Sequence, residues 1–263
     1  MPVILPLEEH CVTYRPTRRD LIGCGLGGVV FTRLARGQQV RIPGPGGGTY
    51  SAGSGGGGGT FSLVAHVAAS SGSGGDATTG AINTGGANLI VVGVAMLSTN
   101  PAIQDNKGNT WSRLTVQTAG SNFSEALFYC YAPSVGSGHT FNTNNGSNNY
   151  PSICVAAFSG SAASPLDQLS GSSATTTLSI QPGSITPGQD SELSIAFLGC
   201  NNSESSMTVN AGFSVTDSQL FVSGKAYGCA MGYLIQTTAA AVNPTWTVAP
   251  NNANLVTTIA SFK

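Results

Sequence analysis

Charge is what this sequence has least of. Its 263 residues carry 10 basic and 11 acidic side chains, 8% in all, where an ordinary soluble domain carries about 25%. Amphipathic helices take their outer faces from Glu, Lys and Arg, so the shortage excludes a helical bundle. Long apolar runs are missing too: none approaches the roughly 20 residues of a membrane-crossing helix, and no membrane span is expected. There is no Cys-x-x-Cys pair and no histidine at metal-ligand spacing, which argues against zinc. No Gly-x-Ser-x-Gly elbow is present, and the histidines number three, His10, His66 and His139. The sequence therefore designates no catalytic, cofactor-binding or metal residue, and a non-enzymatic protein is expected.

What fills the chain is Gly, Ser, Thr, Asn and short β-branched runs. The organising stretch is Asn88–Gln117. Leu89–Leu97 is an almost unbroken aliphatic run, as in a strand buried on both faces. Asp105-Asn106-Lys107-Gly108-Asn109 is a turn cluster, and Thr110–Val116 alternates apolar with polar residues, so a hairpin is expected here. Three side-chain oxygens in that turn could help to hold Ca²⁺, but Lys107 sits among them and the spacing is shorter than a calcium loop, which favours the plain turn.

Further strands are expected at Phe61–Ala69, Ala77–Asn83, Trp111–Gln117, Glu125–Ala132, His139–Asn142, Ser152–Ser159 and Thr175–Ile180. Others fall at Glu192–Leu198, Met207–Val209, Tyr227–Gln236, Pro244–Val248 and Asn254–Phe262. Many short strands with no helical run between them predict an all-β, two-sheet antiparallel sandwich, jelly-roll-like in topology.

Ahead of this body, residues 1–41 read as an irregular arm punctuated by proline. Six arginines against three acids give the arm a net +3, whereas the remainder carries a net −4. Arg interleaved with Pro and apolar residues, and no Lys, suits docking to protein rather than to nucleic acid. Thr17–Ile22 evokes a twin-arginine signal and Leu21–Cys24 a lipobox. The run that follows is short, glycine-rich and without an Ala-x-Ala-like site, so an unprocessed chain is expected. Residues 42–60 form a glycine-rich joint, a tether unless an assembly surrounds it. The body is residues 61–263.

Cys130, Cys154 and Cys229 lie in apolar strand-like runs and are expected as buried thiols, with a bridge between adjacent strands as the alternative. Glu125, Asp167, Glu192, Glu204 and Asp217 are scattered, without the pairing that glycoside hydrolysis needs. Among aromatics suited to stacking on sugars, Trp111 and Trp246 read as core and Tyr150 as the exposed ring.

Asn88–Val92, Gln104–Trp111, Leu127–Pro133, Val155–Gly160, Pro165–Asp167 and Leu255–Phe262 resemble, in that order, a lectin-like β-sandwich module of phage structural proteins and secreted bacterial proteins. The resemblance spans about residues 61–263 and rests on strand and turn signatures. An anchoring segment and tether before such a domain is similar to the layout of phage fibre and capsid-decoration proteins. It implies a virion subunit, assembled in the host cytoplasm, that meets other virion subunits through residues 1–60, forms a homo-oligomer and offers a surface glycan as a further partner. The alternative it implies is a secreted, extracellular carbohydrate-binding or adhesion module. Unguarded Ser/Thr-rich stretches, Thr175–Ile180 and Thr237–Val242, are expected to be edges for lateral self-association.

Overall fold

A computed structural model describes residues 59–263 and two short strands ahead of them, β1 (Gln39–Arg41) and β2 (Thr49–Ser51), which pair antiparallel with Val40 opposite Tyr50. The expectations for the rest of the arm and joint, Cys11 and Cys24 included, lie outside the described residues.

The first half of the body contains β3 (Ser62–Ser70), β4 (Leu89–Leu97), β5 (Gln104–Asp105), β6 (Ser112–Arg113), β7 (Gln117–Ala119), β8 (Phe123–Tyr131), β9 (Phe141–Asn142) and β10 (Ser152–Ser159). The second contains β11 (Leu166–Thr177), β12 (Ser179–Ile180), β13 (Leu193–Cys200), β14 (Glu204–Val209), β15 (Ser214–Gln219), β16 (Gly228–Ile235), β17 (Trp246–Pro250) and β18 (Ala253–Phe262). Every ladder is antiparallel, and the described residues are all-β.

Two main sheets form the sandwich. One has the order β3-β10-β4-β8-β6, with β7 also on β8; the other has the order β11-β18-β13-β16-β15. Between them lie Leu89, Val91, Leu127 and Phe158 from the first sheet and Ile195, Phe197, Met231 and Phe262 from the second. Each main sheet is covered on its outer face as well. Ile90, Val92, Val94 and Met96 pack beneath Phe141 in the first half, and Ala196, Leu198, Leu255 and Ile259 beneath Trp246 in the second. Leu89–Leu97 is apolar at nearly every position because both of its faces are buried, as its sequence predicts.

The covering layers show how the chain travels. In the second half it leaves main strand β11 for β12, returns for β13, leaves for β14, returns for β15 and β16, leaves for β17 and returns for β18; β12, β17 and β14 form the cover sheet. The first half follows the same route. There β5 pairs with β9, and Thr78 and Ile82 bridge to Asn142 and His139. Alternation between two layers is the jelly-roll habit, and here it occurs twice, once in each half.

The repeat reaches individual side chains at an offset of 104 residues. Leu89 corresponds to Leu193, Tyr129 to Tyr233, Ala156 to Ala260 and Phe158 to Phe262. Tyr129 meets Phe262 edge-on with centroids 5.6 Å apart, and Tyr233 meets Phe158 edge-on at 5.6 Å, so the two contacts are equivalent. Strand contacts are reciprocal too: β10 lies on β16 as β8 lies on β18, and β3 on β15 as β7 on β11. Such an exchange of equivalent surfaces is the property of an isologous, two-fold interface. Pairs of equivalent residues touch one another where this pseudo-axis runs, Phe123 against Tyr227 and Gly93 against Phe197.

Several local expectations are corrected. The hairpin from Leu89–Leu97 to Trp111–Gln117 does not form, because β4 is flanked by β10 and β8. The residues after Leu97 pass to the cover layer instead, and Trp111–Gln117 breaks into β6 and β7 on β8. Ala77–Asn83 makes isolated bridges rather than a strand. Thr237–Val242 is not a strand edge: Val242 is bridged to Ile185 within the chain. Thr175–Ile180 divides between the end of β11 and β12, and Ser214–Gln219, too polar to register as a strand in sequence, forms edge strand β15.

Candidate functional site

The turn singled out in the sequence is built around Asp105. Its Oδ1 accepts the Lys107 amide at 2.7 Å, and Gly108 takes the positive φ of 71° that the reversal requires. Asp105 Oδ2 accepts Trp111 Nε1–H at 2.9 Å, and Oδ1 lies 3.3 Å from His139 Nε2. On the other side of the imidazole, Nδ1 is 2.9 Å from Thr84 Oγ1, which accepts the Gly136 amide at 3.1 Å. With Thr84 Oγ1–H directed to Nδ1, the ring proton sits on Nε2, which faces Asp105 at ion-pair distance without making a hydrogen bond. The His139 ring stacks on Phe141 at 4.2 Å.

A hydroxyl, an imidazole and a carboxylate in sequence are the parts of a nucleophilic triad. Here Thr84 and His139 are fully buried, and so is the Asp105 side chain. A nucleophile at the bottom of a packed layer cannot meet a substrate. The arrangement works as a pin, drawing the segments around residues 84, 105–111 and 136–139 together over the outer face of the first main sheet. Burial lowers the pKa of His139, an effect the neighbouring Asp105 partly opposes. Among the described residues no cluster of three or more His, Cys, Asp or Glu is arranged to hold a metal.

The remaining sequence candidates are dispersed. His66 and Asp217 form a half-exposed pair at 2.9 Å that joins β3 to β15. Asp167 binds Lys263 at 2.5 Å and accepts the Gly188 amide. Glu125 is sealed between the main sheets, where Thr258 Oγ1–H donates to its Oε1 and desolvation raises its pKa to about 8. Burial also raises Glu192 and Glu204; Glu192 Oε1 accepts the Gln189 amide, and Glu204 Oε1 accepts the Phe221 amide. Trp246 is core, as expected, and Trp111 lies edge-on to Phe141. Tyr150, expected as the exposed ring, is half-buried against Tyr227 in a small recess that also includes Phe221.

An open cleft of about 420 Å³ lies instead at the end of β8, where the sandwich parts. Thr110, Ser112, Tyr129, Tyr131, Ser164 and Leu166 line it. Tyr129 and Tyr131 are two residues apart on one strand and so point to the same face. Tyr129 is fixed by Phe262, whereas Tyr131 is 38% exposed. Two aromatic rings rimmed by hydroxyls can stack on and hydrogen-bond to a polyol. The sequence marks these tyrosines only as part of a strand; their exposure comes from the strand's position at the mouth of the sandwich. No helix among the described residues is long and apolar enough to cross a membrane.

Compared with known protein-family models, curated proteins and solved structures, the chain matches none.

Proposed function

We propose that this chain is a non-enzymatic structural subunit of a virion, of the phage fibre, tail or capsid-decoration kind. Residues 1–60 anchor it to other subunits, and the double sandwich faces outward and associates laterally with its copies. The observation that carries this reading is the outer edge of the second main sheet. Among the described residues β11 pairs on one side only, with β18, and its twelve residues LDQLSGSSATTT contain no Lys, Arg or Glu; the single ion, Asp167, is held by Lys263. Monomeric proteins guard such edges with charge, and an unguarded hydroxyl-lined edge suits packing between copies.

Light scattering on the full chain and on residues 59–263 tests it. Concentration-dependent oligomers of both, with loss of particle incorporation only in the truncated chain, are expected. About 1 M NaCl, which shortens the screening length to about 3 Å, should loosen arm contacts before contacts between sandwiches. A 59–263 fragment that stays monomeric at high concentration overturns the lateral association.

The cleft at Tyr129 and Tyr131 favours a second reading, a secreted carbohydrate-binding or adhesion module. A glycan array separates the two: specific, saturable binding lost in Tyr131→Ala supports this module, and silence across the array counts against it.

A further inference from the structure

We propose that Cys154 and Cys229 are a disulfide site that staples the two main sheets together through the core. Cys154 lies on β10 in the first sheet and Cys229 on β16 in the second, 75 residues apart, with their Sγ atoms 3.4 Å apart and both side chains fully buried. Neither thiol faces another cysteine on its own sheet: in register, Cys154 stands opposite Ala68 and Gly93, and Cys229 opposite Gly199 and Gln219. Reaching a bond length of about 2.05 Å asks each sulfur to move by about 0.7 Å, within the travel of a χ1 adjustment. The pseudo-two-fold supplies independent support for the closeness of the backbones here. At the 104-residue offset Cys154 corresponds to Thr258 and Cys229 to Glu125, and that pair is also in direct side-chain contact across the sandwich. Both equivalent rungs therefore bring the sheets within reach of short side chains, and at one of them the side chains are thiols.

The chemistry needs an oxidant of the disulfide class. One cysteine thiolate attacks the oxidant's S–S bond, expels one small thiol and forms a mixed disulfide. The second cysteine, as thiolate, displaces the remaining small thiol. Overall two protons and two electrons leave the protein, one S–S bond forms in it and one S–S bond breaks in the oxidant, which departs as two thiols. In the closed fold the step is suppressed, because no solvent reaches either sulfur and burial raises the pKa of Cys154. Cys154 Sγ lies 3.8 Å from the Asp217 carbonyl of β15, an edge strand with a register shift between Val215 and Asp217. Opening of that edge, or folding itself, is when the thiols meet the oxidant; once closed, the same burial shields the bridge from reductants.

Refolding of the full chain from urea in oxidised glutathione, and in parallel in a thiol reductant, tests the proposal. Both samples are alkylated after denaturation and mapped by peptide mass. Among the four cysteines of residues 59–263, the oxidised sample should yield one joined peptide pair, Cys154 with Cys229, and leave Cys130 and Cys200 alkylated; it should unfold at least tenfold more slowly in urea than the reduced sample. Cys154→Ser should abolish the joined peptide while leaving Cys229 alkylatable. Full alkylation of both cysteines after oxidative refolding to the native state overturns the proposal. So does glutathione retained on either cysteine, joining to any other cysteine, or failure of the bridged chain to regain native structure.

Discussion

The ring of Phe197 rests on the bare backbone of Gly93: a Cβ added at Gly93 would lie 2.4 Å from the ring carbons. These two residues are equivalents in the two halves of the chain, and they touch because the pseudo-two-fold axis passes between them. Two large side chains cannot share one point on an axis. The halves must differ there, one supplying the knob and the other the hole.

Gly93→Ala should therefore overpack the core and lower stability by about 1–3 kcal/mol. Phe197→Ala should lower it by about 3–5 kcal/mol through the cavity it leaves. The double variant should lose less than the two costs added, since the new methyl group enters the space vacated by the ring. Urea denaturation of the four proteins measures the coupling, and strict additivity would show that the two sites are independent.

Glu125 should give the protein an unusual pH dependence. Its ordinary pKa of 4.5 rises to about 8 in the folded state, desolvation outweighing the Thr258 hydrogen bond. Between those values the unfolded chain has released this proton and the folded chain has kept it, so stability falls as pH climbs from about 4.5 to about 8. In Glu125→Gln, which stays neutral at every pH, that slope should vanish. Denaturation midpoints taken across the window settle the matter; an unchanged slope in the variant would acquit Glu125.

His139 acts in the opposite direction. Its pKa is lowered by burial from the ordinary 6.5, so below about pH 6.5 the unfolded chain takes up a proton that the folded chain refuses. Stability should fall with acidification there, and His139→Asn should flatten that limb. Asp105→Ala should cost about 2 kcal/mol or more at neutral pH, because it leaves Trp111 Nε1 and the Lys107 amide without their acceptor. Thermal melts at pH 5 and pH 7 distinguish the variants.

The two cleft tyrosines should separate stability from binding. Tyr131→Ala removes a ring more than a third exposed and should change stability by less than about 0.5 kcal/mol. Tyr129→Ala removes the edge-on partner of Phe262 and should cost at least about 1–2 kcal/mol. If the cleft takes a glycan, both variants should weaken that binding by tenfold or more in calorimetry, Tyr131→Ala with its fold intact. Undiminished binding in both would place any glycan elsewhere.

The sequence by itself determined the material of the fold. A run such as Leu89–Leu97 has no polar face to offer water, so it had to become a strand buried on both sides, and the matching strands Ser152–Ser159 and Glu192–Leu198 were legible for the same reason. Turn chemistry was legible too, since Asp105 and Gly108 act on their immediate neighbours. What only the tertiary structure decided was which strands meet. Pairing of β4 with β10, some 60 residues later, follows from how two sheets fit rather than from any local pattern. The duplication stayed hidden because identities such as Leu89 with Leu193 and Tyr129 with Tyr233 are scattered among equivalent positions whose residues differ, such as Gly93 with Phe197 and Cys154 with Thr258. The sites followed the same logic: Thr84, Asp105 and His139 come from three separate segments, and Tyr131 is accessible only because its strand ends where the two sheets part.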